Sequence, residues 1–430
     1  MSVIAIRPNS DLASPAPSGP RYLPVIVGTF LFLFLAFTTA TVFVSDAWAS
    51  QSFQIGIFAL LAVYLLIGIR RGREVMAGGV VPCLIYLTPL WGVVQLLGHT
   101  TSSTFDTRGE VLRWGALAGV FFLSQTLTRT RAARRIFLSV MLCMATAMAV
   151  LCIAQLYTSE GRLLWIIPTG FPGLYGTFPY HCHYAEFVEI FLPIALWRAV
   201  RDGWRSWWYG LAGGILYASV IGSASRLGAL LCTAELLFML VMGFVKVRHS
   251  NTRLPSRATI AILLVVPVLA VVFTMAVGWQ RVWQSFKQKD QLGARREFFI
   301  SALDMAKHRP FFGNGLGTFP QVYQRFAVQD FPFIANHAHN DWAEFAADGG
   351  IPFMLLILIP CAVAVPTAIR HPWGVGLVAI MIHACGDFPF PRPAVSGWIF
   401  ALLGALYMAR RDDRSSIRAA VPITDSPAAG

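Results

Sequence analysis

The sequence predicts an all-α polytopic membrane protein of about twelve transmembrane helices, with a large, partly helical loop between spans nine and ten. Three observations carry that prediction. Apolar residues make up 56% of the chain and charged residues only 13%. Apolar runs close to or beyond the ~18 residues that cross a bilayer recur throughout, and in hydrocarbon such runs must be helical to satisfy their own backbone. Lys and Arg concentrate in alternate connections, as the positive-inside rule requires.

The runs fall at roughly 23–44, 53–69, 75–97, 112–127, 136–157, 184–200, 207–222, 227–245, 258–278, 341–366, 373–385 and 394–409. Basic connections expected on the cytoplasmic side include RRGR at Arg70–Arg73, RTRAARR at Arg129–Arg135, KVRHSNTRLPSR at Lys246–Arg257 and RRDDR at Arg410–Arg414. The connections between them are short and poor in Lys and Arg, so both termini are expected inside. Residues 1–22 read as a disordered Pro/Ser-rich cytoplasmic leader, 23–278 as spans one to nine and 279–340 as a periplasmic loop. Residues 341–409 read as spans ten to twelve and 410–430 as a cytoplasmic tail. The loop of about sixty residues holds eight basic and four acidic residues; loops of that length cross regardless of charge, and ordered ones are commonly functional. Six of the seven cysteines fall in apolar runs and Cys182 in a loop, which makes no disulfide framework.

Ionisable groups at or in a membrane are costly and call for a partner or a task. Four clusters on the outer face stand out. GTFPYHCHYAEF carries His181 and His183 ahead of a span that begins with Glu186 and Glu189. It reads as an interfacial helix start or as side chains lining a shared cavity. In IGSASRLGALL, Arg226 sits among small residues, either a turn arginine or a guanidinium placed to grip a phosphate. The stretch Ala294–Lys307 has helical apolar spacing and ends at Pro310 and GNGLG. Its Arg295 and Arg296 occupy the first turn, where a helix dipole prefers acids; the alternatives are an external anion or an amphipathic surface helix. NHAHNDWAEF gathers His337, His339, Asn340, Asp341 and Glu344, more polar groups than capping alone explains. The two His-x-His pairs lack the i, i+4 spacing of a helical zinc site, and no metal, cofactor or nucleic-acid partner is expected.

Taken in order, GTFPYHCHYAEF, SASRLGALL, GARREFFISALDMAKHRPFFGNGLGTF and HAHNDWAEFAADGGIPF resemble the O-antigen ligase family of membrane glycan transferases, from about Tyr157 to Ile382. His339-Asn340, nine residues, then Gly350 looks like the family's His-Asn-x9-Gly signature. Phe353 stands where the family often has Gly, Thr or Tyr. Of an Asn-x-Asn-His-like first cluster, only His183 is retained.

The resemblance implies transfer of a glycan from a polyprenyl-diphosphate carrier to a lipid-linked saccharide acceptor, at the periplasmic face of a bacterial inner membrane. On this reading Arg226, Arg295 and Arg296 hold the diphosphate and His339 is the base. His337, Asn340, His183 and Glu186 position substrate. Metal-independent single displacement would invert the anomeric carbon. Ligation onto a core oligosaccharide is the leading expectation and repeat-unit polymerisation its alternative; a lipid-linked glycan flippase or secondary transporter is the reading from another class. Arg226, Arg295 and His339 are expected to converge on one outward-facing cavity.

Overall fold

In a computed structural model, residues 22–44, 47–71, 78–169, 174–201, 207–249, 292–327, 329, 331 and 335–420 are described, with isolated positions at 268, 271, 272, 275 and 283. Those residues hold thirteen α-helices and one two-residue hairpin. The helices are α1 (Leu23–Ala40), α2 (Ala47–Arg70), α3 (Val80–Leu97), α4 (Thr104–Leu127), α5 (Arg131–Thr158), α6 (His181–Arg201), α7 (Trp207–Ser223), α8 (Arg226–His249), α9 (Leu292–His308), α10 (Phe319–Val322), α11 (Asp341–Arg370), α12 (Gly376–His383) and α13 (Pro393–Ala420).

By length and apolar composition, six of these qualify as membrane crossings: α1, α2, α3, α5, α11 and α13. Twelve were expected from the apolar runs. The shortfall has physical reasons. The first turns of α4 bring Asp106, Arg108, Glu110 and Arg113, and α6 carries Glu186, Glu189, Arg198 and Arg201. α7 is 17 residues long and α12 only 8. The expected span at 258–278 lies outside the described residues apart from isolated positions. Other boundaries shift. His181, Cys182 and His183 fall inside the first turn of α6 rather than in a loop, and α13 runs on to Ala420, past the tail expected from Arg410.

α13 is the central post. Its membrane window is 83% buried, against 28–39% for the other five crossings, and it packs on α1, α4, α6 and α11. Trp398 and Trp114 are fully enclosed, and Trp114 meets Phe345, Phe353 and Phe400 edge-on, joining α4, α11 and α13. Small residues permit this closeness: a Cβ on Gly397 would lie 2.7 Å from a Leu35 methyl, and one on Gly404 2.8 Å from the Phe121 carbonyl.

A second, smaller core clamps α9 to the start of α11. Phe298, Ala302 and Met305 of α9 pack with Phe319, Tyr323, Ala338, Ala343 and Ala347. This is the apolar stripe legible in Ala294–Lys307, and it turns the polar edge of α9 toward the chain before α11.

α11 itself is broken. Gly350 adopts φ 75°, ψ 172°, a conformation essentially reserved for glycine. The break leaves carbonyls at Ala347, Asp348 and Gly349 without helical partners, and specific donors take them. Asn314 donates to Ala347 O from both its backbone N (3.0 Å) and Nδ2 (2.8 Å), Gly315 N donates to Asp348 O (2.8 Å), and Trp91 Nε1 donates to Gly349 O (2.8 Å). Beyond the break, Ile351 N donates to Pro310 O (2.8 Å). The GNGLG run is therefore a strap that satisfies an interrupted helix, the arrangement irregular backbone at a membrane requires.

Candidate active site

Four chain segments meet at the mouth of α11. Asn340 caps that helix: its Oδ1 accepts from Ala343 N at 3.0 Å while its Nδ2 donates to Cys385 O at 2.8 Å. Asp341 N donates to Ala384 O (2.9 Å), and Asp341 Oδ2 accepts from Phe390 N (3.0 Å). These bonds lace the Pro-rich connection between α12 and α13 onto the α11 N-terminus. They also hold His339 at φ 51°, a left-handed conformation that costs a non-glycine residue roughly 1–2 kcal/mol.

The laced connection delivers Asp387 to the centre. One carboxylate oxygen lies 3.1 Å from His339 Nδ1, the other 3.5 Å from Arg295 Nη2, and Arg295 Nη1 donates to Gly386 O at 3.2 Å. Asp387 is 2% exposed. Burial opposes its ionisation, but the His339 hydrogen bond and the Arg295 charge prevail and hold the carboxyl well below the usual carboxylate range. The carboxylate is thus charged at neutral pH. Bonding at Nδ1 fixes the His339 ring and leaves Nε2 to face a reactant.

Phe388, the next residue, is a hub for imidazoles. His337 stacks on it at 4.4 Å, and His183 and His339 meet it edge-on at 4.6 and 4.9 Å. His337 Nδ1 lies 2.8 Å from Glu344 Oε1. Beneath, His183 Nδ1 is 2.9 Å from Glu186 Oε2, and His383 Nδ1 is 2.7 Å from Glu189 Oε1, all four side chains being buried. Glu186, His383 and Asp387 each present one ligand atom within 4.8 Å of the others, a nitrogen and two oxygens that could take a cation. Among the described residues the two His-x-His pairs do not gather in this way.

Arg226 opens α8 directly after Ala224, itself at φ 62°, and Ser225. Ser225 lies beside Cys182 of α6, and Leu227 would lie 3.2 Å from a Cβ on Gly386. His181 feels the charges of Asp387, Arg295 and Arg226 together. The beginnings of α6, α8 and α9 and the mouth of α11 therefore share one neighbourhood with Arg226, Arg295 and His339 in it. Arg296 is exposed and is not among the groups bonded to Asp387. His183 and Glu186 sit one layer below, with Phe388 between His183 and the His337 and His339 rings.

Residues 194–358, a little over a third of the chain, match the O-antigen ligase family model. Over those residues the chain is similar to the O-antigen ligase family. A search of curated proteins returns no match. That stretch holds Arg226, Arg295, Arg296, His337, His339 and Asn340, so the resemblance legible in the sequence is shown over the segment that supplies most of the cluster. His183, Glu186 and Asp387 reach the cluster from outside the matched segment.

Sequence reasoning missed Asp387, Phe388 and the His383–Glu189 pair. A signal existed: ACGDFPFPRP places an aspartate and three prolines directly after a short apolar run, an ordered loop rather than a flexible one.

Proposed function

We propose that this protein transfers a glycan from a polyprenyl-diphosphate carrier to a saccharide hydroxyl at the membrane surface, as a ligase of polysaccharide onto a lipid-linked acceptor. The observation that carries the reading is the single buried carboxylate of Asp387 shared by an imidazole and a guanidinium that lie 44 positions apart in sequence (Arg295 and His339). A base and a cation held at fixed separation are the two groups such a transfer needs. A diphosphate leaves readily if its developing charge meets positioned cations, and Arg295 and Arg226 supply them, with exposed Arg296 adding attraction from outside. The acceptor hydroxyl is a poor nucleophile at neutral pH. His339 takes its proton as the oxygen attacks the anomeric carbon, the bond to the diphosphate oxygen breaks, and the displacement inverts that carbon. Asp387 orients His339 and is a positioning residue. His337, Asn340, His183 and Glu186 fix the geometry of the mouth.

Both substrates are anchored in lipid, so a site at the helix mouths confines their search and sets their orientation. Purified protein in liposomes, given a polyprenyl-diphosphate glycan with core lipid and a second carrier-linked repeat as competing acceptors, tests the reading. A product on core lipid supports ligation, and a ladder of carrier-linked products establishes a polymerase instead. Movement of donor across the vesicle with no new glycosidic bond overturns the transferase reading in favour of a flippase.

In that assay Arg295→Ala is expected to lower turnover roughly 10²–10³-fold, the usual cost of losing one preorganised charge donor. Arg295→Lys, which keeps the charge but not the planar fork, should fall between the variant and the parent. Equal turnover by all three proteins removes Arg295 from the diphosphate site.

The proposed orientation places this mouth in the periplasm of an inner membrane, with both termini cytoplasmic. A single cysteine at exposed position 296, in a chain whose native cysteines are replaced, should react with an impermeant maleimide added to intact spheroplasts. Labelling only after lysis would reverse the orientation.

A further inference from the structure

At the end of the bundle away from the candidate active site, two grooves run along either side of one ridge of α5. α6 sets the separation: it begins at the mouth with His181 and reaches Arg198 about 26 Å further along its axis. The first groove lies between α5, α6 and α7 and encloses about 410 Å³, within the range of ligand clefts, about 300–1,000 Å³. Arg135, Ser139, Arg198 and Tyr209 make its polar wall, and no carboxylate lines it among the described residues. Arg198 is the buried floor. Its Nη2 donates to Arg135 O at 2.9 Å and to Ser139 Oγ, and its guanidinium lies 5.3 Å from the centre of the Tyr209 ring. Ser139 in turn donates to Arg135 O at 2.9 Å, so its hydroxyl is engaged. Arg135 is exposed and Tyr209 half-buried, and these are the polar side chains a ligand can reach.

The start of α5 asks for an anion. Arg131, Arg134 and Arg135 crowd its first turns, where the helix dipole is positive, and the first turn holds no acid. Arg134 is already paired, with Asp412 of α13 at 2.7 Å, and donates to Thr128 O at 3.1 Å. Arg131 and Arg135 are both exposed, and at i and i+4 they share one face, where like charges repel. A phosphate received between them relieves both conflicts, because guanidinium forks match phosphate oxygens.

The second groove selects a lipid over a free anion. It encloses about 490 Å³ between α1 and α5. Starting at Pro24 and Ala133, level with the first turn of α5, it follows both helices for about 15 Å toward the middle of the bundle. Its one hydroxyl, Thr29, is turned onto Val25 O at 2.9 Å, and the rest of the wall, including Gly28, Phe32, Phe137 and Met144, is apolar. Ile136 and Val140 line both grooves, so the two adjoin across the ridge. Trp207 and Trp208, stacked and exposed at the start of α7, mark the level of lipid headgroups. A basic groove at that level beside an apolar one running inward has the form of a phosphodiester joined to an acyl chain. The arginines repel a choline or ethanolamine cation, so the headgroup is net negative. We propose that this is a binding site for one anionic glycerophospholipid of the leaflet opposite the candidate active site, its phosphate held by Arg131, Arg135 and Tyr209 and one acyl chain lying between α1 and α5. Basic pockets between transmembrane helices are recurrent seats for such headgroups. The inference stands apart from the transferase reading.

The test is native mass spectrometry of the full chain, purified in detergent, stripped of lipid and titrated with phosphatidylglycerol. The parent should retain one phosphatidylglycerol at concentrations where phosphatidylcholine gives none, and excess inorganic phosphate should not displace it. Arg131→Gln/Arg135→Gln should weaken retention roughly 25-fold, about fivefold for each surface arginine. Both side chains are exposed, so the fold survives their loss. Arg411→Gln, exposed on α13 and outside both grooves, controls for general attraction and should retain lipid like the parent. Phosphatidylglycerol carrying a diazirine in its acyl chain should label residues 24–33 or 133–144. Gly28→Leu should suppress that labelling by filling the apolar groove, since a Cβ there meets nothing closer than a Leu127 methyl at 3.7 Å. No retained phosphatidylglycerol, equal retention of phosphatidylcholine, an equal loss in Arg411→Gln or labelling confined to other helices overturns the site. Displacement by inorganic phosphate makes it a simple anion site, and displacement by equimolar polyprenyl phosphate gives it to a carrier lipid; either also overturns the proposal. Turnover does not enter the assay, so failure here leaves the transferase reading untouched.

Discussion

Replacing His339 with alanine is expected to leave folded, membrane-inserted protein whose transfer rate falls by roughly two to four orders of magnitude, the range a positioned general base supplies. The imidazole is 25% exposed and bonds through Nδ1 to a carboxylate that keeps a second partner in Arg295, so its removal opens no large cavity and strands no unpaired charge. Asp387→Asn tests the positioning role. It removes the fixed charge behind the ring while nearly preserving shape, so kcat should fall more than KM rises, and the limb of the pH–rate profile set by the base should move. Groups that act as a unit lose their effect together. The double variant His339→Ala/Asp387→Asn should therefore be little slower than His339→Ala. Additive losses would show that Asp387 acts independently of the imidazole, and near-parental activity in His339→Ala would remove this histidine from the reaction.

Gly350→Ala is expected to be the most damaging substitution for the fold. At φ 75° and ψ 172° an L-residue is strained by about 1–3 kcal/mol before any contact is considered. A Cβ there would also run into the backbone carbonyls of Phe311 and Pro310, neither of which can swing aside as a side chain could. Moving that strap withdraws both donors from Ala347 O and one of the two on Asp348 O, and a buried polar group left alone costs about 1–3 kcal/mol. With the backbone clash added, the loss approaches the whole stability of an ordinary domain, about 5–15 kcal/mol. Gly350→Ala should lose monodisperse protein in detergent or lower its thermal midpoint by more than ten degrees. A midpoint within two degrees of the parent would mean the strap adapts freely.

The helical class, the apolar stripe of α9 and the capping by Asn340 were legible because each is written in local spacing. So was the gathering of basic and imidazole groups near the mouth of α11, through motifs that stand in order along the chain. What could not be read was long-range. Asp387 has no neighbour in sequence that hints at His339 or Arg295; only the lacing of Cys385, Ala384 and Phe390 onto Asn340 and Asp341 brings it there. GNGLG gave a loop but not its purpose, which depends on a helix break some 33 residues later. Of the twelve expected crossings, six meet the length and composition of a span among the described residues; charged first turns and short helices keep others below that measure, and the run at 258–278 lies outside the described residues. The helices α4 and α6 keep such charges buried within protein: Arg113 and Arg198 are 7% and 3% exposed.

The burial of α13 bears on how this protein tolerates change. Of the six crossings it has the lowest mean hydropathy, 1.2, yet it is the one that lipid scarcely touches. On α1 or α2, where most of the surface meets acyl chains, exchanging one aliphatic residue for another of different shape alters little. On α13 the same exchange meets a rigid mould on every side, and one extra methyl at Gly397 or Gly404 has nowhere to go. Sequence drift should therefore be slowest along the helix that a hydropathy plot ranks last, and a random mutagenesis screen would find its inactivating hits crowded there.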